Sequence, residues 1–224
     1  MPAGKRLSSS VMRFESPARL LFIGDSITDC GRDRSANGTD LGNGWVAQSR
    51  ALIEAHHPER RYEYLNLGIG GNRITDLEAR WEADVLERRP DVLMVMIGIN
   101  DVWRQFDRPW LPQVSLEDYS LTLERLLERS RPVVRETVLL SPYFLETNRQ
   151  DPMRERMDAY GAAMRALAKR QGHCFVDVQA AFDRWLAHHP TQRLCADRVH
   201  PNATGHALIA AAFLDAVGFS WRTA

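Results

Sequence analysis

Four short segments of this 224-residue sequence carry residue types that together can perform acyl transfer. They are Gly24-Asp25-Ser26-Ile27-Thr28, Gly68-Ile69-Gly70-Gly71-Asn72-Arg73, Gly98-Ile99-Asn100-Asp101 and Asp197-Arg198-Val199-His200-Pro201. A serine hydroxyl is a weak nucleophile until a neighbouring base takes its proton. Ser26 is the candidate nucleophile and His200 the candidate base, because an imidazole ordinarily changes charge close to neutrality. Asp197 is the candidate to hold that ring in the needed tautomer and to stabilise the imidazolium. Pro201 biases His200 away from helical geometry, so Asp197-x-x-His200 reads as a turn. Asn202 reads as the N-cap of a helix behind it. Ester cleavage also needs donors aimed at the developing oxyanion. The candidates are the backbone N–H of Ser26, the backbone N–H of Gly71 and the side-chain amide of Asn100. This chemistry calls for no metal and no cofactor.

These residues need a frame, and the hydropathy pattern supplies one. Short apolar runs, Arg19–Gly24, Asp91–Ile97, Thr137–Leu140 and Cys174–Val178, read as strands buried on both faces, and Tyr62–Leu67, which alternates, reads as a further strand. Between and after them lie helical patterns at Trp45–Ala55, Ile74–Glu87, Leu116–Ser130, Pro152–Gln171 and Ala203–Val217. The stripe Met153, Met157, Tyr160, Met164 and Leu167 has helical period and reads as core. Alternating strand and helix predicts an α/β fold with a central, mainly parallel five-stranded sheet and helices on both faces. Ligands of such sheets bind beyond the carboxyl ends of the strands, and the first three segments stand there. Alone, each of them is an ordinary turn or cap; their joint occurrence, in order, carries the reading. Trp103–Ser115 reads as a functional loop, and residues 1–17 as a poorly ordered or peripheral N-terminal extension of a single domain spanning 1–224.

Basic and acidic residues balance at 29 each. That argues against a general nucleic-acid partner, which would need a basic surface to displace the counterions of phosphate. The longest apolar run, Val92 to Ile97, is too short to span a bilayer. The first 14 residues lack the apolar segment of a secretion signal. Cys30, Cys174 and Cys195 form neither a disulfide framework nor a thiolate metal site. The expectation is a cytoplasmic protein with no membrane partner. His56-His57 and His188-His189 read as solvated helix ends, not ligands.

The four segments, in this order, resemble the blocks of the SGNH, or GDSL-type, hydrolase family across nearly the whole chain. The resemblance implies a three-layer α/β/α sandwich of flavodoxin-like type. It implies Ser26 as nucleophile, His200 as base and Asp197 as acid, with Ser26, Gly71 and Asn100 forming the oxyanion hole. From about Leu20 to Trp221, the strings LLFIGDSITDCGR, MIGINDVWRQ, QDPMRERMDAYG and DRVHP look like those of bacterial intracellular acetylxylan esterases within the family. Such enzymes remove acetyl groups from xylo-oligosaccharides, so the expected partner is a small acetylated saccharide; an oligomer of identical chains is also implied. A tryptophan often precedes the aspartate in that group, and here the position is Ala196, which bears on substrate preference.

Candidate substrate-binding residues are Asp25, Trp103, Arg104 and Trp110, since indole rings stack on sugars and a guanidinium donates to hydroxyls. Arg73 and Asp76 read equally as an ion pair or as substrate contacts. The competing functional reading is a broader carboxylesterase, lysophospholipase or thioesterase on the same fold. A carbohydrate-binding protein with a defunct site is disfavoured by the complete set of reactive residue types.

Overall fold

The computed structural model describes residues 12–221. Five strands form one sheet: β1 Ala18–Gly24, β2 Tyr62–Gly68, β3 Val92–Met96, β4 Glu136–Leu140 and β5 Cys174–Val176. All pairings are parallel, in the order β2-β1-β3-β4-β5. Leu20 to Ile23 and Leu93 to Val95 have no solvent exposure at all. Both faces of the central strands are therefore covered, which is why their sequences are continuous apolar runs without alternation.

The helices are α1 Ser26–Asp29, α2 Trp45–His56, α3 Ile74–Trp81, α4 Ile99–Asp107, α5 Leu116–Ser130, α6 Pro152–Gln171, α7 Val178–Leu186 and α8 Ala203–Ala216. They flank the sheet in two mutually packed groups, α2, α7 and α8 in one and α3 to α6 in the other. In the first group, edge-on contacts join Phe22 of β1, Trp45 of α2 and Phe213 of α8, with ring centroids 5.2 to 6.0 Å apart. In the second, the Trp81 indole donates to Ser130 Oγ at 2.9 Å, and the methionine stripe of α6 is buried as expected. No helix among the described residues is long and apolar enough to cross a membrane.

Three expectations change. First, residues 103–107 are helical, not loop: two residues after β3 ends, Gly98, with φ of +127°, turns the chain directly into α4. Second, the fifth strand stops at Val176, and Asp177 caps α7 by accepting from the Ala180 N–H at 2.9 Å. Third, the part of the N-terminal extension that is described is not peripheral. Phe14 is 1% exposed and Met12 3%, the Phe14 carbonyl accepts from Arg60 and Tyr62, and the Arg13 N–H donates to Val217 O at 2.8 Å. Residues 1–11 lie outside the described residues. A smaller difference is that the helix after the second segment continues beyond Trp81 as a π turn, Glu82–Leu86.

The order of the strands places the site. From β1 the chain moves first to one neighbour, β2, and then to the other, β3, so the crevice opens at the carboxyl end of β1. The segments after β1, β2 and β3 thus converge from three adjacent strands. Because Phe14 fills the core beside Phe213, at 6.3 Å between ring centroids, Phe14→Ala is expected to destabilise the protein by about 3–5 kcal/mol. Urea titration should show a lower midpoint with an unchanged slope; an unchanged midpoint would mean that residues 12–17 contribute nothing to the fold.

Candidate active site

Ser26 is the first residue of α1, immediately above the central strand. Asp25 is the N-cap: its carboxyl group accepts from the Ile27 N–H at 2.9 Å, using one of the orphan donors of a helix start. The short helix lies directly on the end of β2, where a Cβ at Gly68 would stand 2.2 Å from Asp29 N. Only glycine permits that approach. Buried Asn66 ties the two together, donating to Thr28 O at 2.7 Å and Leu41 O at 2.9 Å while accepting from the Gly68 N–H.

The second segment folds back over Ser26. A Cβ at Gly70 would lie 3.7 Å from the Ser26 Cβ, and the Gly70 N–H donates to Asp29 Oδ2 at 3.0 Å, which also pairs with Arg34. Gly71 follows with φ of +84°, a left-handed conformation that suits glycine. Asn100, on the first turn of α4, donates from Nδ2 to Asn72 O at 3.1 Å. One amide N–H of Asn100 remains, together with the backbone N–H groups of Ser26 and Gly71, neither of which donates to an acceptor among the described residues. These are the donors an oxyanion would need.

His200 closes the arrangement. Its Nε2 is 2.9 Å from Ser26 Oγ, and its Nδ1 is 2.6 Å from Asp197 Oδ2. Asp197 Oδ1 accepts the backbone N–H groups of Val199 and His200 at 3.0 and 2.9 Å, in a turn where Arg198 takes φ of +63°. Burial works against ionisation of Asp197, but these hydrogen bonds outweigh it and hold its carboxyl below the usual carboxylate range. A carboxylate on Nδ1 fixes that nitrogen as N–H and leaves Nε2 as acceptor for the serine proton. The turn is anchored by the Tyr143 hydroxyl, which donates to Val199 O at 2.8 Å. Behind it, Asn202 caps α8 by accepting from Thr204 N and Gly205 N. A second histidine, His206, stays neutral through the working range, since burial pushes it down to about 4. It takes the Trp45 N–H on Nδ1 and faces Cys30 Sγ with Nε2, each at 3.3 Å.

The sequence-predicted residues divide into two sets. Ser26, His200 and Asp197 are joined by hydrogen bonds, and Asn100 contacts Asn72, the neighbour of Gly71, in the loop whose Gly70 lies over Ser26. Trp103 joins them, its ring centroid 5.8 Å from that of His200. Asp25 does not face substrate: it is 2% exposed and occupied as a helix cap. Arg104 is engaged within the protein: its guanidinium donates to Asn100 Oδ1 at 3.3 Å and Asp107 Oδ2 at 2.5 Å and lies over the Trp103 ring. Trp110 is 76% exposed on the loop beyond α4 and has no ring or hydrogen-bond partner among the described residues. At the start of α3 the Arg73 N–H donates to Asp76 Oδ2 at 2.8 Å, and the two side chains pair at 3.7 Å. Among the described residues no group of three His, Cys, Asp or Glu side chains is placed to hold a metal ion.

Sequence reasoning missed Asp101 and Arg80. Asp101 accepts from the Ile74 N–H with both oxygens, at 3.0 and 3.2 Å, tying α4 to the loop that carries Gly71. Arg80 donates to Leu67 O, Gly24 O and Asn72 Oδ1, satisfying carbonyls at two strand ends. Asp101 was visible as the last residue of the third segment; Arg80 left no signal, since nothing in an exposed-looking helix position announces a strand-end partner.

Burial raises the carboxyls of both Asp25 and Asp101 to about 7. An unfolded aspartate titrates near ~3.9, so between about pH 4 and pH 7 the native state holds protons that the unfolded chain has lost. Stability from these groups is complete below that window and falls as the pH rises through it. Asp101→Asn keeps an acceptor for Ile74 and removes the titration. The variant should lose less stability than the parent between about pH 5 and pH 8; parallel declines in denaturation midpoint would contradict the raised carboxyl. Separately, a fluorophosphonate should label the parent at Ser26 and label neither Ser26→Ala nor His200→Ala; equal labelling of the parent and His200→Ala would mean that His200 does not activate the serine.

Comparison with known proteins agrees with this geometry. A family model described as GDSL-like lipase/acylhydrolase matches residues 22–208. The acetylxylan esterase of Geobacillus stearothermophilus is 45% identical over 215 residues, covering 94% of this chain and 98% of that protein. The GDSL lipase Rv0518 of Mycobacterium tuberculosis is 30% identical over 200 residues, covering 85% and 78%. Among solved structures, Axe2, the acetylxylan esterase of Geobacillus stearothermophilus, superposes with a TM-score of 0.92 at 44% identity, covering 95% of this chain and all of that one (100%). LAE5, an alpha/beta hydrolase enzyme from the Lake Arreo metagenome in Spain, gives a TM-score of 0.91 at 49% identity, covering 93% and 98%. With its fold, its ordered segments and a match over most of its length in common with these proteins, the chain belongs to the GDSL-like lipase/acylhydrolase family and is a carboxylic ester hydrolase.

Proposed function

We propose that this protein is a serine acetylesterase that removes acetyl groups from acetylated xylo-oligosaccharides. The observation that carries the chemistry is the continuous relay from Ser26 Oγ through His200 to Asp197, at 2.9 and 2.6 Å. The substrate class is supported by 45% identity, over nearly the full length of both chains, to a protein that is an acetylxylan esterase.

In the reaction, Ser26 Oγ attacks the ester carbonyl as His200 Nε2 takes its proton, and Asp197 stabilises the imidazolium. The carbonyl oxygen becomes an oxyanion and receives the N–H groups of Ser26, Gly71 and Asn100. The tetrahedral intermediate collapses, the C–O bond to the sugar breaks, and His200 returns the proton to the departing alcohol. Acetyl-Ser26 is left. Water then attacks its carbonyl with His200 again as base, and acetate leaves as Ser26 recovers its proton from the imidazolium.

The relay is open: the side chains of His200 and Asp197 are 46% and 42% exposed. An open alcohol side admits a sugar, while the Trp103 ring against His200 restricts the space on its own side. Three free thiols among the described residues suit a reducing compartment such as the cytoplasm.

The test is a panel of esters on one alcohol with lengthening acyl chains, alongside acetylated xylobiose and phospholipid. kcat/KM should fall steeply from acetyl to butyryl to octanoyl, each methylene that does not fit costing about 1–3 kcal/mol of discrimination. Acetylated xylobiose should be deacetylated and phospholipid left intact. Faster cleavage of octanoyl than acetyl esters would overturn the acetylesterase reading in favour of a broader carboxylesterase or lysophospholipase.

A further inference from the structure

The Asn100 amide has two chemically different ends, and its usefulness to an oxyanion depends on which end faces the crevice. With Nδ2 inward it donates; with Oδ1 inward it repels. Two contacts decide the matter. Nδ2 donates to Asn72 O at 3.1 Å, and Oδ1 accepts from Arg104 Nη2 at 3.3 Å. A flipped amide would set its NH2 group against a guanidinium, donor against donor, and its carbonyl oxygen against the Asn72 carbonyl, acceptor against acceptor.

Arg104 is itself held. It stands four residues after Asn100 on α4, so both side chains share one face of the helix. Its Nη1 donates to Asp107 Oδ2 at 2.5 Å. The guanidinium lies 5.0 Å from the centroid of the Trp103 ring, and that ring packs against His200. The Arg104 side chain is only 17% exposed, so a long, rotamer-rich side chain is held largely out of water beside the oxyanion donor.

We propose that Arg104 is a positioning residue for the oxyanion site. It fixes the sense of the Asn100 amide and, as a cation on Oδ1, polarises that amide so that its remaining N–H is a stronger donor. Charge-assisted hydrogen bonds are stronger than neutral ones, and bonds in series reinforce one another. Arg104 does not touch the substrate; its charge reaches the reacting carbonyl through Asn100. The stack on Trp103 gives the same guanidinium a second duty, holding the ring that flanks the base. This inference rests on the esterase reading above.

The experiment is a double-mutant cycle on acetyl ester hydrolysis, using 4-nitrophenyl acetate so that no sugar hydroxyl is available to Arg104. Arg104→Met keeps the length and apolar stem but removes the charge and the donors. It should lower kcat about tenfold or more, the scale of a hydrogen bond to a charged group, with KM unchanged. Asn100→Ala should lower kcat by about 10²–10³-fold, and adding Arg104→Met to it should lower kcat little further. Arg104→Lys should recover part of the loss, since it restores the charge without the planar fork. Thermal melting of each variant controls for folding. Several results would overturn the proposal: a loss confined to KM, full additivity with Asn100→Ala, or a loss of kcat that follows the drop in melting temperature with no rescue by lysine. Absence of acetyl ester turnover in the parent protein would instead overturn the esterase reading, and this proposal with it.

Discussion

A single buried contact carries much of the geometry at this site: the Asp101 carboxyl on the Ile74 N–H. Asp101 follows Asn100 at the start of α4, and Ile74 follows the loop that presents Gly71. The contact therefore ties the start of α4, which carries Asn100, to the loop that carries Gly71. It is made without any exposure to solvent, so it is costly to form with an ionised carboxyl, and the group responds by holding its proton to about pH 7. Asp25 does the same for the helix that carries Ser26. Buried acids under an open relay are a poor choice for stability alone; they make sense as fixed hydrogen-bonding posts for loops that must not move.

A second constraint is the backbone itself. Parallel strands that end at the same level leave carbonyls pointing into the crevice, and these need donors. Guanidinium groups supply them: Arg80 on Gly24 O and Leu67 O, and Arg32 on Gly68 O at 2.8 Å. Both arginines are themselves pushed below their ordinary range, chiefly by burial. The positive charge on this side of the sheet balances acids close by, Asp84 next to Arg80 at 2.5 Å and Asp29 next to Arg34. Acids and bases are thus interleaved around a site whose own reactive groups remain accessible.

The relay differs in character from its supports. Ser26, His200 and Asp197 face solvent, while the posts beneath them are buried. That division lets substrate enter and the alcohol leave without disturbing the frame. It also explains why the catalytic turn is braced from behind, by Tyr143 on Val199 O and by the Arg198 pair with Glu146 at 2.8 Å. The turn carrying both acid and base is pinned by buried Val199 and is braced by the segment after β4.

The sequence by itself determined the sheet: the fully buried central strands must be written as unbroken apolar runs, the alternating Tyr62–Leu67 run is the edge strand β2, and each of the five runs found marks a strand. It also determined which residue types could react, since Ser26, His200 and Asp197 stand at strand ends or in a Pro-bounded turn where a fold of this class exposes them. Local pattern was weakest where a helix begins at once after a strand. Gly98 and Asp177 are ordinary turn and cap residues until the chain beyond them is seen to coil, so local pattern assigns 103–107 of α4 to a loop and Val178 of α7 to the strand. The roles of Asp25 and Arg104 were decided only by tertiary structure. Both look like polar groups offered to a ligand, and both are held by the protein, one by the Ile27 N–H and the other by Asn100, Asp107 and Trp103. The physical reason is that a carboxyl or guanidinium serves substrate or scaffold with the same hydrogen bonds. Composition and spacing are identical in the two cases; which one holds depends on what folding places within about 3 Å of it.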